Sequence, residues 1–146
     1  MRAVQKASMN ISRKLPSRFD VIPDFILFVI KALKKEYAVN EQALFDIKLA
    51  LEESLTNAIK HGNKLKPGLP VDVSVNTRTN QLIITVKDQG KGFNFKNVPD
   101  PTEKDRLTRT SGRGVFLIKK IMDEVRFYNG GRSIRMVKRL NGTKRG

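Results

Sequence analysis

Three short segments constrain this chain more than any other feature, and they lie in a fixed order: LALEESLTNAIKHGN (49–63), VKDQGKGF (86–93) and SGRGVFLI (111–118). The first carries a Glu and an Asn at helical spacing. The second sets an Asp beside paired glycines where an apolar run ends. The third is a glycine-rich start to a new apolar run.

Composition narrows the class. At 146 residues the chain fits one domain over 1–146, with a core of about 9–140 and a basic tail over 141–146, and its 39% hydrophobic content suits a globular protein. With no cysteine, disulfides and thiolate metal sites are excluded. The longest apolar run, Phe25 to Ile30, is far short of a membrane span, and no apolar stretch follows Arg2 and Lys6 as in a secretory leader. A cytoplasmic protein without membrane contact is expected.

The net charge of +15 stands out. No acidic residue precedes Asp20 and none follows Glu124, so both ends are purely basic. Such a balance favours acidic partners or serves only as a solvated surface. The basic ends hold few aromatics (Phe19, Phe127, Tyr128), which argues against a base-stacking nucleic-acid platform.

Alternation predicts strands over Met9–Leu15, Val71–Asn76, Leu82–Val86, Val125–Tyr128 and Ser133–Leu140. Apolar residues at helical spacing predict a first helix over Ile22–Tyr37, with Pro23 and Asp24 in its first turn. Asn40 is a suitable N-cap for a second helix that runs to about His61 before Gly62 ends it. A third helix is expected over Val115–Met122, and Asn94–Thr110 reads as a long loop. The order gives a two-layer α/β sandwich, with helices on one face of a mixed, mostly antiparallel sheet and the other face partly open.

On the second helix, Leu44, Ile47, Leu51, Leu55 and Ala58 form the apolar stripe, while Glu53, Asn57 and His61 make a row four apart. The Asn57 amide oxygen is a hard neutral ligand for a magnesium ion that also touches phosphates. Glu53, one turn earlier, is placed to accept a proton from an attacking hydroxyl. Glu52 points about a quarter turn away and reads as surface, and His61 reads as a partner for the helix end. Asp88, at a strand end, can accept a hydrogen bond from an adenine amino group, with Gly90 and Gly92 allowing close backbone approach. Ser111–Gly114 leads into a helix whose free N–H groups suit a phosphate chain, and Arg106, Arg109 and Arg113 add positive charge. Each segment alone is also compatible with an ordinary helix face, turn or cap. Neither a Walker P-loop nor a dinucleotide fingerprint occurs.

Jointly the segments resemble the N, G1 and G2 boxes of the Bergerat-fold (GHKL) ATP-binding superfamily, and most closely its anti-sigma-factor serine kinase branch. Glu53 and Asn57 match the E-x-x-x-N core, and Asp88, Gly90, Gly92 and Phe93 match D-x-G-x-G-F. Gly112-Arg113-Gly114 with Val115 to Ile118 resembles the third box, and Met122–Val125 (MDEV) also looks like that branch. The resemblance implies a Bergerat sandwich that binds ATP with magnesium. Asn57 would hold the metal, Glu53 would be the general base, and Asp88 would bind adenine. Gly90, Gly92, Phe93, Arg109, Thr110, Ser111, Gly112, Arg113, Gly114 and Val115 would complete the nucleotide site. It further implies transfer of the γ-phosphoryl group to a serine of a STAS-domain anti-anti-sigma factor, a sigma factor as competing partner, a homodimer, and control of transcription. One departure is that Thr110 stands where some sporulation-type members carry Arg, with Arg109 one place earlier.

Two other readings compete with the kinase. One is an ATP-gated binding module that transfers no phosphate and switches partners by ordering a lid over 94–110. The other is a basic nucleic-acid-binding domain whose boxes only support the fold.

Overall fold

The computed structural model describes residues 9–90 and 110–140. Its strands are β1 (Asn10–Leu15), β2 (Val71–Arg78), β3 (Gln81–Lys87), β4 (Glu124–Tyr128) and β5 (Ser133–Arg139). Three α-helices accompany them: α1 (Ile22–Glu36), α2 (Glu41–Asn57) and α3 (Thr110–Ile121). The sheet runs β1-β2-β3-β5-β4, and every one of these pairings is antiparallel. Among the described residues the sheet is therefore purely antiparallel rather than mixed.

Period-two patterning sets the register. Val71, Val73 and Val75 of β2 are buried, as are Leu82, Ile84 and Val86 of β3, while the residues between them are partly exposed. Thr79 and Asn80 both take positive φ and close a two-residue hairpin that pairs Arg78 with Gln81. β5 adds Ile134 and Met136 to the same inner face.

The helices cover that face. Val29 and Leu33 of α1, Ile47, Leu51 and Leu55 of α2, and Ile118 of α3 are fully buried in one core with the strands. α2 packs against both neighbouring helices. Asn40 caps it as expected, its Oδ1 accepting from the Ala43 N–H at 2.8 Å.

Two helix boundaries differ from expectation, and both bear on the site. Past Asn57 the backbone widens into a π-helical turn, Ala58–Gly62, closed by the Asn63 N–H on the Ala58 carbonyl at 2.8 Å. Gly62 thus lies inside the last turn. The chain is reversed instead by Lys64 and Leu65, both at positive φ. At the other boundary, α3 begins at Thr110 rather than Val115, so Ser111–Gly114 belongs to the helix instead of leading into it. Of the loop expected over 94–110, residues 94–109 lie outside the described residues.

One buried ion pair joins the layers. Lys138 Nζ on β5 lies 2.8 Å from Asp46 Oδ2 on α2 and donates to the Ile121 carbonyl at 2.6 Å. Gln42 donates to the other Asp46 oxygen at 2.9 Å. Nothing in the hydrophobic pattern announced this contact.

Candidate nucleotide site

The end of α2, the end of β3, one flank of α3 and the turn before β5 line a cleft of about 140 Å³. Its walls are apolar, from Val86, Val115, Ile118, Phe127 and Ile134, with Asn57, His61, Asp88 and Arg132 as the convergent polar groups. An apolar slot with few placed polar groups suits a flat, hydrogen-bonding ligand.

Asp88 stands where the hydrophobic β3 strand meets the loop, and it is only 8% exposed. The Asp88 N–H donates to the Arg132 carbonyl at 2.9 Å, and the Gly90 N–H donates to the Asp88 carboxylate at 2.8 Å. Burial pushes its carboxyl above the ordinary carboxylate value, against the opposing effects of the Gly90 hydrogen bond and the Arg132 charge. Such a group is short of donors, so a ligand amino group would meet an acceptor already stripped of water.

Two glycines make this approach possible. A Cβ at Gly62 would overlap the Asp88 carboxylate, and one at Gly90 would overlap the Gly62 carbonyl. The loop and the π-helical turn therefore touch backbone to backbone.

At the other end of the cleft α3 closes on α2. A Cβ at Gly114 would stand 2.7 Å from Glu53 Oε1 and 3.0 Å from Asn57 Nδ2. Gly114 thus permits helix contact at the two residues of the first box. Glu53 is raised above its ordinary value by burial and by the neighbouring Glu52 carboxylate, while the Arg113 charge opposes this. Asn57 Oδ1 is buried and accepts no hydrogen bond. It shares that condition with only one other side-chain atom among the described residues, Asn76 Oδ1 on β2. His61 also lines the cleft, and it is pushed below its ordinary value, first by burial and then by Lys60 and Lys64.

The structure brings together Asn57, Asp88 and Val115 on the cleft wall, with Glu53, Gly90 and Gly114 in contact around it. Arg113 projects from α3 toward solvent. Thr110, Ser111 and Gly112 form the first turn of α3. Gly92, Phe93 and Arg109 lie outside the described residues. Among the described residues no group of three or more His, Cys, Asp or Glu gathers as a self-sufficient metal site.

Sequence reasoning missed three contributors. Its place after His61 makes Gly62 look like a helix stop, and only its contact with Asp88 reveals its use. Arg132 follows an unremarkable glycine pair. Asn63, 1% exposed, closes the first segment without any motif of its own.

Comparison with known proteins identifies the family and the fold. The profile of a family described as "Histidine kinase-like ATPase domain" matches residues 16–138. An anti-sigma F factor of Anoxybacillus flavithermus is 36% identical over 107 residues, which span 69% of this chain and 73% of the relative. A serine-protein kinase RsbW of Listeria monocytogenes is 31% identical over 107 residues, 68% of either chain. The RsbW of Bacillus subtilis is 27% identical over 143 residues, 92% of this chain and 88% of the relative. The crystal structure of the RsbU and RsbW domains of Rv1364c from Mycobacterium tuberculosis matches in fold, with a TM-score of 0.63 at 14% identity. That match covers 90% of this chain and 32% of the other. The chain belongs to the histidine kinase-like ATPase domain family, among relatives named anti-sigma F factor and serine-protein kinase.

Proposed function

We propose that this protein is an ATP-dependent serine-protein kinase and anti-sigma factor, which transfers the γ-phosphoryl group of ATP to a serine on an antagonist of the STAS type. The observation that carries the reading is the meeting of Glu53, Asn57 and Gly114 at one end of an apolar cleft whose other end holds Asp88. Adenine fits the apolar slot, with its amino group donating to Asp88. The phosphates then extend toward the start of α3, where unpaired N–H groups and the helix dipole favour negative charge.

Magnesium fits the residues present, because the buried Asn57 Oδ1 lacks a partner and is the hard oxygen such an ion takes. When bound, the ion would neutralise charge on the phosphates. Glu53 does the proton work: its carboxylate accepts the proton of the acceptor serine as the serine oxygen bonds to the γ-phosphorus. The bond from that phosphorus to the bridging oxygen breaks, and ADP leaves. A carboxylate made more basic by burial suits this role. Arg113 adds positive charge beside the reacting groups.

The partner switch follows from the same site: the unphosphorylated antagonist and a sigma factor compete for the protein, which acts as a homodimer in the cytoplasm. No helix among the described residues is long and apolar enough to cross a membrane.

The test is transfer of labelled phosphate to a STAS-type antagonist, with ATP binding measured in parallel. Glu53→Ala is expected to bind ATP as the native protein does while losing transfer by roughly 10²–10⁴-fold. Equal transfer by mutant and native protein would remove Glu53 as the base.

A further inference from the structure

Asn63 spends its whole side chain inside the protein. Its Nδ2 group donates toward Ser17 Oγ at 3.0 Å and toward the Leu69 and Pro70 carbonyls at 2.9 and 3.1 Å. Its Oδ1 accepts the Gln89 N–H at 2.6 Å. At 1% exposure and with donors and acceptor all engaged, it has nothing left for a ligand. What it does reach is the backbone immediately after Asp88.

The three N–H groups around that carboxylate each have a separate anchor. That of Asp88 bonds the Arg132 carbonyl, that of Gln89 bonds Asn63, and that of Gly90 bonds the Asp88 carboxylate itself. Among these, only the Asn63 bond comes from a distant side chain, and only it ties the loop to the end of the helix that carries Glu53 and Asn57. The neighbouring Gly62 fixes the remaining direction, since its bare Cα lets the Asp88 carboxylate lie directly against it. The π-helical turn is what delivers this pair: its wider i→i+5 bonding, Asn63 N–H to the Ala58 carbonyl, sets Gly62 and Asn63 against the strand end.

We infer that Gly62 and Asn63 form a positioning clamp for Asp88, so that selection of adenine over other bases depends on a residue that never touches the nucleotide. The inference rests on the reading of Asp88 as the adenine acceptor, and its test separates the two. Inosine triphosphate differs from ATP at the purine 6-position, with a carbonyl that cannot donate to Asp88. Preference for ATP over inosine triphosphate therefore reports where the carboxylate points, whereas overall stability does not.

Calorimetric titration of both nucleotides with magnesium into the full chain gives this ratio. The native protein is expected to prefer ATP by roughly ten- to a hundredfold, and Asp88→Asn to abolish the preference. Asn63→Ala should bring the ratio to within a few-fold of one while leaving inosine triphosphate binding nearly unchanged. Ser17→Ala, which removes one Asn63 acceptor without touching Gln89, should lower Tm and keep the ratio. An Asn63→Ala protein that melts earlier but keeps the native ratio would overturn the clamp and leave Asn63 a structural staple. If that variant does not fold, Gly62→Ala decides in its place, and a native ratio there overturns the clamp equally. A native protein without preference, or an Asp88→Asn variant that keeps it, would overturn the reading of Asp88 and the clamp with it.

Discussion

At the scale of single residues, the site is held in a less stable state than the fold alone would choose. Asp88 and Glu53 both bind protons more tightly in the folded chain than at their ordinary values of 3.8 and 4.5. From those values up to the raised folded ones, the native state holds more protons than the unfolded state, so stability falls as pH rises. Above the raised folded values the full cost of keeping both charged is present. Asp88→Asn removes that charge and retains an oxygen for the Gly90 N–H, so Tm of the nucleotide-free protein should rise at pH 7 and the gain should vanish below about pH 4. ATP affinity should fall roughly ten- to a hundredfold in the same variant. Thermal melts across pH check the first part, and a variant less stable than the native protein at neutral pH would contradict it. The roles proposed for these residues can be read from the chain because each depends on residue type at a short spacing: Glu53 and Asn57 four apart, Asp88 two before Gly90. Asn63 was not legible, because the two partners that tie it to the rest of the fold, Ser17 and Gln89, lie 46 and 26 residues away, and only the Leu69 and Pro70 carbonyls are near it in the chain. A side chain that acts through contacts of that range leaves no local trace.

At the scale of elements, the strands and the first two helices followed from hydrophobic period and capping, with ends shifted by only a few residues. The boundaries that differ are those where a glycine looks like punctuation. Gly62 and Gly114 both lie within helical turns, and each is used for the absence of a Cβ against a partner element rather than for backbone freedom. Sequence alone cannot distinguish these uses, because the partner surface comes from elsewhere in the chain. The contact on Gly114 yields a separable prediction. Its nearest obstacle is the far end of the flexible Glu53 side chain, so Gly114→Ala should be accommodated by turning that carboxylate away. Stability should then change little while kcat drops roughly tenfold or more through misplacement of the proposed base. A large fall in Tm with unaltered kcat would show that the helices separate instead.

At the scale of the whole molecule, one antiparallel sheet and a single helical layer leave the site at the end of the core, where α2 meets both β3 and α3. The Asp46–Lys138 pair, with side chains 9% and 13% exposed, ties α2 to β5 and the end of α3 across that core. Removing one partner of a buried pair strands the other charge and typically costs about 3–5 kcal/mol. Lys138→Met should therefore lower stability by about that amount, and adding Asp46→Leu should recover much of it. Denaturant unfolding of the single and double variants checks this; equal losses in both would mean that packing, not the stranded carboxylate, dominates. Of the wider charge of +15, Arg113 acts on Glu53 and Arg132 on Asp88. Composition showed it at once, yet it said nothing about which face of the sheet the helices would cover.

The central claim is that the buried, unpartnered Asn57 oxygen completes a magnesium–ATP site in this cleft. Its most direct test is calorimetric titration of ATP into the native protein and Asn57→Ala, each with and without magnesium. The expected result is native binding that tightens with magnesium, and a variant whose weaker binding is the same in either condition. Native binding indifferent to magnesium, or absent from a folded protein, would contradict it.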